Sequence, residues 1–329
     1  MSVARRLPAV LQNLSLPVIA APMFTVSYPD LVIAQCKAGI VGSFPALNAR
    51  GPELLDQWLT QIKEELDHYR RTHPDAVVGP LAVNQIVHTS NVRLEQDVQT
   101  CIRHQVPILI TSLRAPVHEI IDAVHAYGGI ILHDVINLRH AQKAIDAGVD
   151  GLILVAAGAG GHAGLLSPMA LVGEARKRFE GLLVLSGSIV TGDAILAAQA
   201  MGADLAYIGT RFIASREAHA SEEYKQSLLS STAADIIYSN LFSGVHGNYV
   251  RESIRRAGLD PDNLGVADKG LMNFGQGGSK AKAWKDIWGA GQGVGQIDDT
   301  PDAAEIVLRL KREYASARAR LAQLPWPAK

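Results

Sequence analysis

The chain has 329 residues, of which 48% are hydrophobic and 19% are charged, and its formal net charge is -1. This composition is typical of a globular protein with a large core. The near-zero charge gives no electrostatic basis for binding nucleic acid or an anionic membrane. Two cysteines far apart in sequence are typical of a reducing compartment, and no apolar run approaches the ~18 residues of a membrane span. We therefore expect a cytoplasmic protein without nucleic-acid or membrane partners.

Strand and helix patterns alternate along the first two thirds of the chain. Short apolar runs predict strands at residues 16–21, 40–44, 81–85, 107–111, 130–135, from 152 onward, 182–185 and 204–208. Helical spacing follows at residues 28–38, 52–71, 91–104, 117–127, 138–147, 168–179 and from 192, after the predicted N-cap Thr191. Such alternation with short connections requires a parallel sheet with right-handed crossovers.

Eight strand–helix units are the number that closes into a (β/α)₈ barrel. The competing architecture, a doubly wound open sheet, would normally show a glycine-rich fingerprint after its first strand. Here the first strand ends in Ala21-Pro22-Met23-Phe24 instead. The predicted fold class is therefore α/β, a TIM barrel over residues 1–216.

The alternation is lost from residue 217 to residue 299. Helical patterns at 222–229 and 248–257 are followed by glycine-rich tracts at 275–278 and 289–295. Trp284, Ile287 and Trp288 favour an ordered segment, because disordered segments are poor in aromatic residues. We predict a helical, glycine-rich cap over the barrel mouth at 217–299. Residues 300–329 then supply a helix at 301–321 that packs back on the barrel.

A glycine-rich loop with one histidine, His162, follows the sixth predicted strand at residues 158–164. Glycine lets the backbone lie close against a ligand. A histidine there can donate or accept a proton near neutral pH, and parallel α/β barrels place their chemistry at these strand ends. The alternative is an incidental histidine on a flexible surface loop. We predict that His162 is catalytic.

The loops after the seventh and eighth predicted strands match the places where barrels bind phosphate. These loops hold Ser186-Gly187-Ser188 and Gly209-Thr210. The bare backbone N–H groups of Gly187 and Gly209, with the Thr210 hydroxyl, predict an anion nest. Ordinary turns are the alternative for either loop alone. Arg211 could be a counter-charge to the phosphate or a solvated residue.

The tips of the first, third and fifth predicted strands hold Pro22-Met23, Asn84 and His133. A soft sulfur, an amide and an imidazole suit an aromatic heterocycle with hydrogen-bonding edges, such as flavin mononucleotide (FMN). Core packing is the alternative for Met23, whereas a buried Asn84 amide needs partners. No metal-like spacing, no nucleophile elbow and no lysine at a strand end is present, so a cofactor-borne redox reaction is predicted.

Several of these motifs together resemble those of the nitronate monooxygenases. They lie at residues 21–23, 158–164, 185–187 and 208–212 and in the late glycine tract at residues 289–293. The Gly-Gly-His-Ala-Gly element around His162 is the most specific of them. The resemblance implies an FMN-bound barrel that oxidises alkyl nitronates, such as propionate 3-nitronate, with O₂ to a carbonyl compound and nitrite. It implies His162 as the catalytic residue, and we expect FMN contacts from Ala21, Pro22, Met23, Asn84, His133, Gly160, Gly161, Ser186, Gly187, Ser188, Gly209, Thr210 and Gln292.

This sequence departs from the family pattern at Ala21, Phe24, Val155 and Ser188. Because related enzymes on the same scaffold are NADH:quinone reductases and enoyl-acyl-carrier-protein reductases, an FMN-dependent NAD(P)H reductase is the alternative function. A non-catalytic flavin-binding protein is a further alternative. A phosphosugar aldolase or isomerase would need a carboxylate or lysine at the strand tips, where Asp134 is the nearest residue. A homodimer is an additional expectation.

Overall fold

Eleven strands are found in the part of the chain that the computed structural model describes, which is residues 7–265 and 286–325. They are β1 (Val18–Ala20), β2 (Gly42–Pro45), β3 (Leu81–Val87), β4 (Ile108–Leu113), β5 (Ile130–Val135), β6 (Gly151–Val155), β7 (Gly161–His162), β8 (Leu182–Ser186), β9 (Leu205–Ile208), β10 (Ile236–Ser239) and β11 (Gly247–Val250). Eight of them form one parallel sheet in the order β1-β9-β8-β6-β5-β4-β3-β2. Pairing of Ile19 with Val41 brings the two ends of that sheet together, which confirms the predicted barrel.

Helices connect the strands and surround the barrel. They are α1 (Pro29–Lys37), α2 (Pro52–Thr72), α3 (Leu94–Arg103), α4 (His118–His125), α5 (Leu138–Ala147), α6 (Pro168–Arg176), α7 (Gly192–Met201), α8 (Thr210–Ile213), α9 (Glu222–Leu229), α10 (Arg251–Arg256) and α11 (Ala303–Ala322). The predicted cap of α7 is confirmed, since the Thr191 side chain accepts a hydrogen bond from the backbone N–H of Ala194 at 3.3 Å. Gly202 ends α7 at φ 111°, a left-handed conformation that glycine adopts at low cost.

Alternate residues of each barrel strand face two different cores, as the two-residue period of a strand requires. One set fills the barrel interior, and its members include Ile19, Val41, Ala82, Ile110, Leu132, Ile153, Val184 and Leu205. The other set packs under the helices and includes Val18, Val83, Leu109, Ile131, Leu154, Leu183 and Ala206. At the strand ends the same alternation decides which side chains reach the barrel mouth.

A second, antiparallel sheet joins β10, β11 and β7. The predicted helix at 248–257 is therefore wrong in its first part, because residues 248–250 belong to β11 and only Arg251–Arg256 is helical. All four residues of β11 are buried, so their pairing with β10 and β7 overrides the local helical pattern. The predicted glycine tract at 275–278 and Trp284 lie outside the described residues.

The C-terminal helix α11 packs against α7. The backbone N–H of Gly192 donates to the Glu313 carboxylate at 2.7 Å, and a Cβ on Gly192 would lie 2.2 Å from the Tyr314 nitrogen. Ile306 and Leu310 are buried in the same core. Close backbone approach at Gly192 thus lets α11 lie directly on the barrel layer, while the proposed division at residues 217 and 299 stays a prediction.

Candidate active site

The carboxyl ends of the barrel strands line a cavity of about 1190 Å³. This is slightly above the common range of small-molecule sites, roughly 300–1000 Å³, so the cavity has room for a cofactor and a small substrate. Its wall includes His162 and these predicted cofactor contacts: Ala21, Pro22, Met23, Asn84, Gly160, Gly161, Ser186, Gly187, Ser188, Gly209 and Thr210. His133 and Gln292 are the two predicted contacts that the structure does not place in that wall.

His133 points into the helix layer because it occupies an outward position of β5. Its side chain is buried, and Nδ1 lies 2.8 Å from the Thr111 hydroxyl. Burial lowers the pKa of His133 to about 4. The next residue, Asp134, faces inward and lines the cavity. The predicted contact from His133 is therefore wrong, because strand alternation turns Asp134 and not His133 toward the cavity.

Two glycine tracts cross beside the cavity, backbone against backbone. A Cβ on Gly291 would lie 2.6 Å from the Gly158 carbonyl oxygen, and one on Gly160 would lie 2.8 Å from the Gly291 nitrogen. The Gln292 backbone N–H donates to the Gly158 oxygen at 2.9 Å. The backbone of Gln292 therefore links the two glycine tracts, and its neighbours Gly291 and Gly293 line the cavity.

Thr210 lies where the predicted anion nest meets these glycine tracts. Its hydroxyl oxygen accepts a hydrogen bond from the Gly291 N–H at 2.9 Å, and the hydroxyl hydrogen can then be donated to a bound anion. Met23 reaches the same place, because a Cβ on Gly209 would lie 3.5 Å from the Met23 sulfur. The tips of β1 and β9 are thus brought together.

Strained backbone is concentrated around the cavity. Four non-glycine residues in the described ranges have positive φ, namely Thr25, Gln105, Leu113 and Ser188. All of them except Gln105 line the cavity. Positive φ is uncommon for such residues, and local strain of this kind is typical of functional sites. At Ser188, φ is 56°, a left-handed conformation that glycine adopts at lower cost than serine.

Asn48, which no sequence motif singled out, holds the loop after β1 in place. Its side-chain amide donates to the backbone oxygens of Met23 at 3.0 Å and Ser27 at 2.8 Å. Its oxygen accepts from the Thr25 N–H at 2.9 Å. Asn84 is anchored in a similar way, since its amide donates to the Ser112 hydroxyl at 3.0 Å.

Arg211 is neither a free counter-charge nor a solvated residue. Its guanidinium donates to the Asp299 backbone oxygen at 3.1 Å and to the Asp299 carboxylate at 3.0 Å. Its side chain is only 8% exposed. The solvated interpretation is therefore wrong, because the partner lies 88 positions away and no local pattern identifies it. A role as counter-charge to the phosphate stays a prediction.

His162 belongs to the second sheet, opposite Gly247 in the β7–β11 pair. Its Nε2 lies 2.8 Å from the Ser243 hydroxyl oxygen, and that hydroxyl donates to the Val245 carbonyl at 3.0 Å. Ser243 therefore anchors the His162 ring to the segment between β10 and β11. Burial lowers the pKa of His162 to about 4, so the imidazole is neutral at neutral pH.

Two buried polar atoms on the inner side of the cavity have no hydrogen-bond partner among the described residues, Asp134 Oδ1 and Tyr207 Oη. Unpartnered buried groups of this kind are rare in native proteins. Both residues line the cavity, so a bound polar group fits there.

No group of three or more His, Cys, Asp or Glu residues within 7–265 and 286–325 is arranged to hold a metal ion. None of the helices found there combines the length and apolar character needed to cross a bilayer. The cavity is the place in the described structure where the predicted site residues come together.

Comparison with known proteins agrees with this geometry. The family model described as nitronate monooxygenase matches residues 8–313. The nitronate monooxygenase of Paraburkholderia phytofirmans is 27% identical, over 93% of this chain and 94% of that protein.

Two solved structures share the fold. The nitroalkane oxidase from Streptomyces ansochromogenes has a TM-score of 0.80 at 21% identity, covering 95% of this chain and 99% of the other. FabK from Thermotoga maritima has a TM-score of 0.76 at 21% identity, covering 98% of this chain and 99% of the other. Because the family match spans nearly the whole chain, this enzyme belongs to the nitronate monooxygenase family.

Proposed function

We propose that this enzyme uses bound FMN to oxidise alkyl nitronates, such as propionate 3-nitronate, with O₂ to a carbonyl compound and nitrite. The observation that carries the proposal is one cavity that is lined both by a neutral His162 and by the glycine loops at the ends of β8 and β9. Family membership supports flavin-dependent oxidoreduction in this cavity. The substrate and the identity of the flavin are the parts that experiment must test.

The FMN phosphate fits the loops that follow β8 and β9. Gly187 and Gly209 present backbone close to the cavity, and the Thr210 hydroxyl has a hydrogen to donate. Phosphate binding at these two loops is common among barrel enzymes. The flavin ring would then lie across the mouth toward Met23 and Asn84, both of which line the cavity.

When bound, the flavin supplies the electron-accepting chemistry, and the protein supplies placement and electrostatics. A neutral imidazole keeps one unprotonated, basic ring nitrogen. It can accept the proton that a nitroalkane loses from the carbon beside the nitro group. The imidazolium formed in that step then balances the negative charge of the nitronate.

The proposed function is tested by mixing the purified protein with propionate 3-nitronate in an oxygen electrode and assaying nitrite. We expect oxygen uptake that depends on the nitronate, together with nitrite release. A yellow protein that neither consumes oxygen nor releases nitrite with any alkyl nitronate would overturn the substrate assignment.

An NAD(P)H-dependent reductase is the second candidate, supported by the cavity rim. Arg50 and Arg114 line the cavity near the ends of β2 and β4, and paired arginines suit the phosphates of a dinucleotide. Anaerobic mixing with NADH or NADPH separates the candidates. Rapid bleaching of the flavin favours the reductase, whereas an unchanged spectrum favours the monooxygenase.

A further inference from the structure

Asp134 and Tyr207 are inward-facing residues of two barrel strands, β5 and β9, that lie three positions apart in the sheet. Both side chains line the cavity, and we call the pair the cavity floor. Burial raises the pKa of Tyr207, and the charge of Asp134 raises it further, so the two groups lie within electrostatic range. Asp134 Oδ1 and Tyr207 Oη nevertheless have no hydrogen-bond partner in the described part of the chain.

Complementary polar groups that are near each other, buried and unpaired indicate a missing third group. A neutral carboxyl and a phenol can each donate and accept one hydrogen bond. The edge of a flavin ring carries both carbonyl acceptors and an N–H donor. We propose that the cavity floor hydrogen-bonds the flavin ring with Asp134 protonated, so that the cofactor binds together with one proton. This inference rests on the proposed function, because it requires a flavin in the cavity.

The surroundings of Asp134 favour its protonated form. Ile153 lies opposite it on β6, and His133, its neighbour on β5, faces the helix layer. Burial raises the pKa of Asp134 to about 7. The other titratable side chains that line the cavity are Arg50, His88, Arg93, Arg114, His140, His162, Tyr207 and Tyr224.

A flavin ring over the floor removes further water from Asp134 and so disfavours the carboxylate. Binding must then take up a proton whenever Asp134 is ionised in the free protein. By linkage, the flavin Kd rises with pH by up to about tenfold per pH unit above the pKa of Asp134 in the free protein. Below that pKa the dependence disappears.

The test is a fluorescence titration of the full-length protein, freed of cofactor, with riboflavin between about pH 6 and pH 9. Riboflavin is the probe because it lacks the phosphate, whose second ionisation lies near pH 6. We expect the wild-type Kd to rise about tenfold per pH unit above neutrality. Asp134→Asn keeps the shape of the side chain without its titration, and its Kd should not change with pH.

Two further variants test whether the pH dependence of riboflavin binding comes from Asp134 and not from other residues that line the cavity. Tyr207→Phe should weaken riboflavin binding while keeping the pH slope. His140→Gln, which removes another titratable group lining the cavity, should keep the wild-type slope. A wild-type Kd that does not vary with pH, or a slope that persists in Asp134→Asn, would overturn the inference while the proposed function stands. Failure of both riboflavin and FMN to bind at any pH would overturn both.

Discussion

Burial and one hydrogen bond determine what His162 can do. The ring is neutral at neutral pH because burial lowers the pKa of His162 to about 4. Ser243 anchors the ring. A neutral ring held in one place suits a proton acceptor better than a permanent cation. The sequence identified His162 from its glycine setting, but Ser243 lies 81 positions away and only the folded chain brings it close.

His162→Gln should retain the flavin and lose turnover. Loss of general acid–base catalysis lowers rates by about 10²-fold to 10⁴-fold, while the predicted flavin contacts remain. The visible spectrum reports the cofactor, and oxygen uptake with a neutral nitroalkane reports turnover. Undiminished uptake by this variant would remove the catalytic role of His162.

The pH dependence of kcat/KM with a neutral nitroalkane should show an acid limb near pH 4. A base works only when unprotonated, so activity is lost as the pH falls through the pKa of His162, about 4. The limb should be absent from the residual activity of His162→Gln. A limb near pH 6.5, the ordinary value for histidine, would show that the site does not depress this pKa.

At the scale of elements, the site depends on two glycine tracts that cross and on a small antiparallel sheet. Gly158 and Gly160 follow β6, and Gly291 comes from the far end of the chain. Their backbones approach too closely for a Cβ at Gly160 or Gly291. His162 follows the first of these tracts directly, on β7, and β7 pairs with β11 in the second sheet.

Gly291→Ala should destabilise the fold and weaken flavin binding. Its Cβ would lie 2.6 Å from the Gly158 oxygen, and overpacking of this kind costs about 1–3 kcal/mol. Urea unfolding and an FMN titration measure the two effects. Gly173→Ala is the matched control, since a Cβ there meets nothing within 4 Å and alanine favours α6 by about 1 kcal/mol. Equal stability of the two variants would contradict the close backbone approach of the two glycine tracts.

The barrel could be predicted from sequence because its information is local. Helix caps such as Thr191 and stops such as Gly202 lie beside the elements that they bound. The second sheet could not be predicted from sequence, because β7 has only two residues and pairs with β11 some 85 positions later. His133 and Asp134 show a finer limit, since both stand at one strand end and only the register decides which one faces the cavity.

At the scale of the whole molecule, the segment that precedes α11 is tied to the barrel by charge. Asp299 accepts from Arg211 at 3.0 Å and from Arg309 at 2.6 Å. Arg211 lies on α8, the short helix after β9, and is almost fully buried, whereas Arg309 lies on α11. The ion pairs therefore connect α8 to the C-terminal helix.

Arg211→Ala should lower the free energy of unfolding by about 1.5 kcal/mol, since a hydrogen bond to a charged group contributes about 1.5–3 kcal/mol. The lower value applies because Asp299 is 43% exposed. FMN affinity of the folded variant should stay at the wild-type level. A selective loss of FMN affinity relative to riboflavin, with stability unchanged, would instead make Arg211 a phosphate ligand.

The central claim is that a flavin occupies the cavity at the carboxyl ends of the barrel strands. The most direct test is the visible absorption spectrum of the purified protein, followed by identification of the pigment released on denaturation. We expect the spectrum to show the two bands of an oxidised flavin and the released pigment to be FMN. A colourless protein that added FMN does not reconstitute would contradict it.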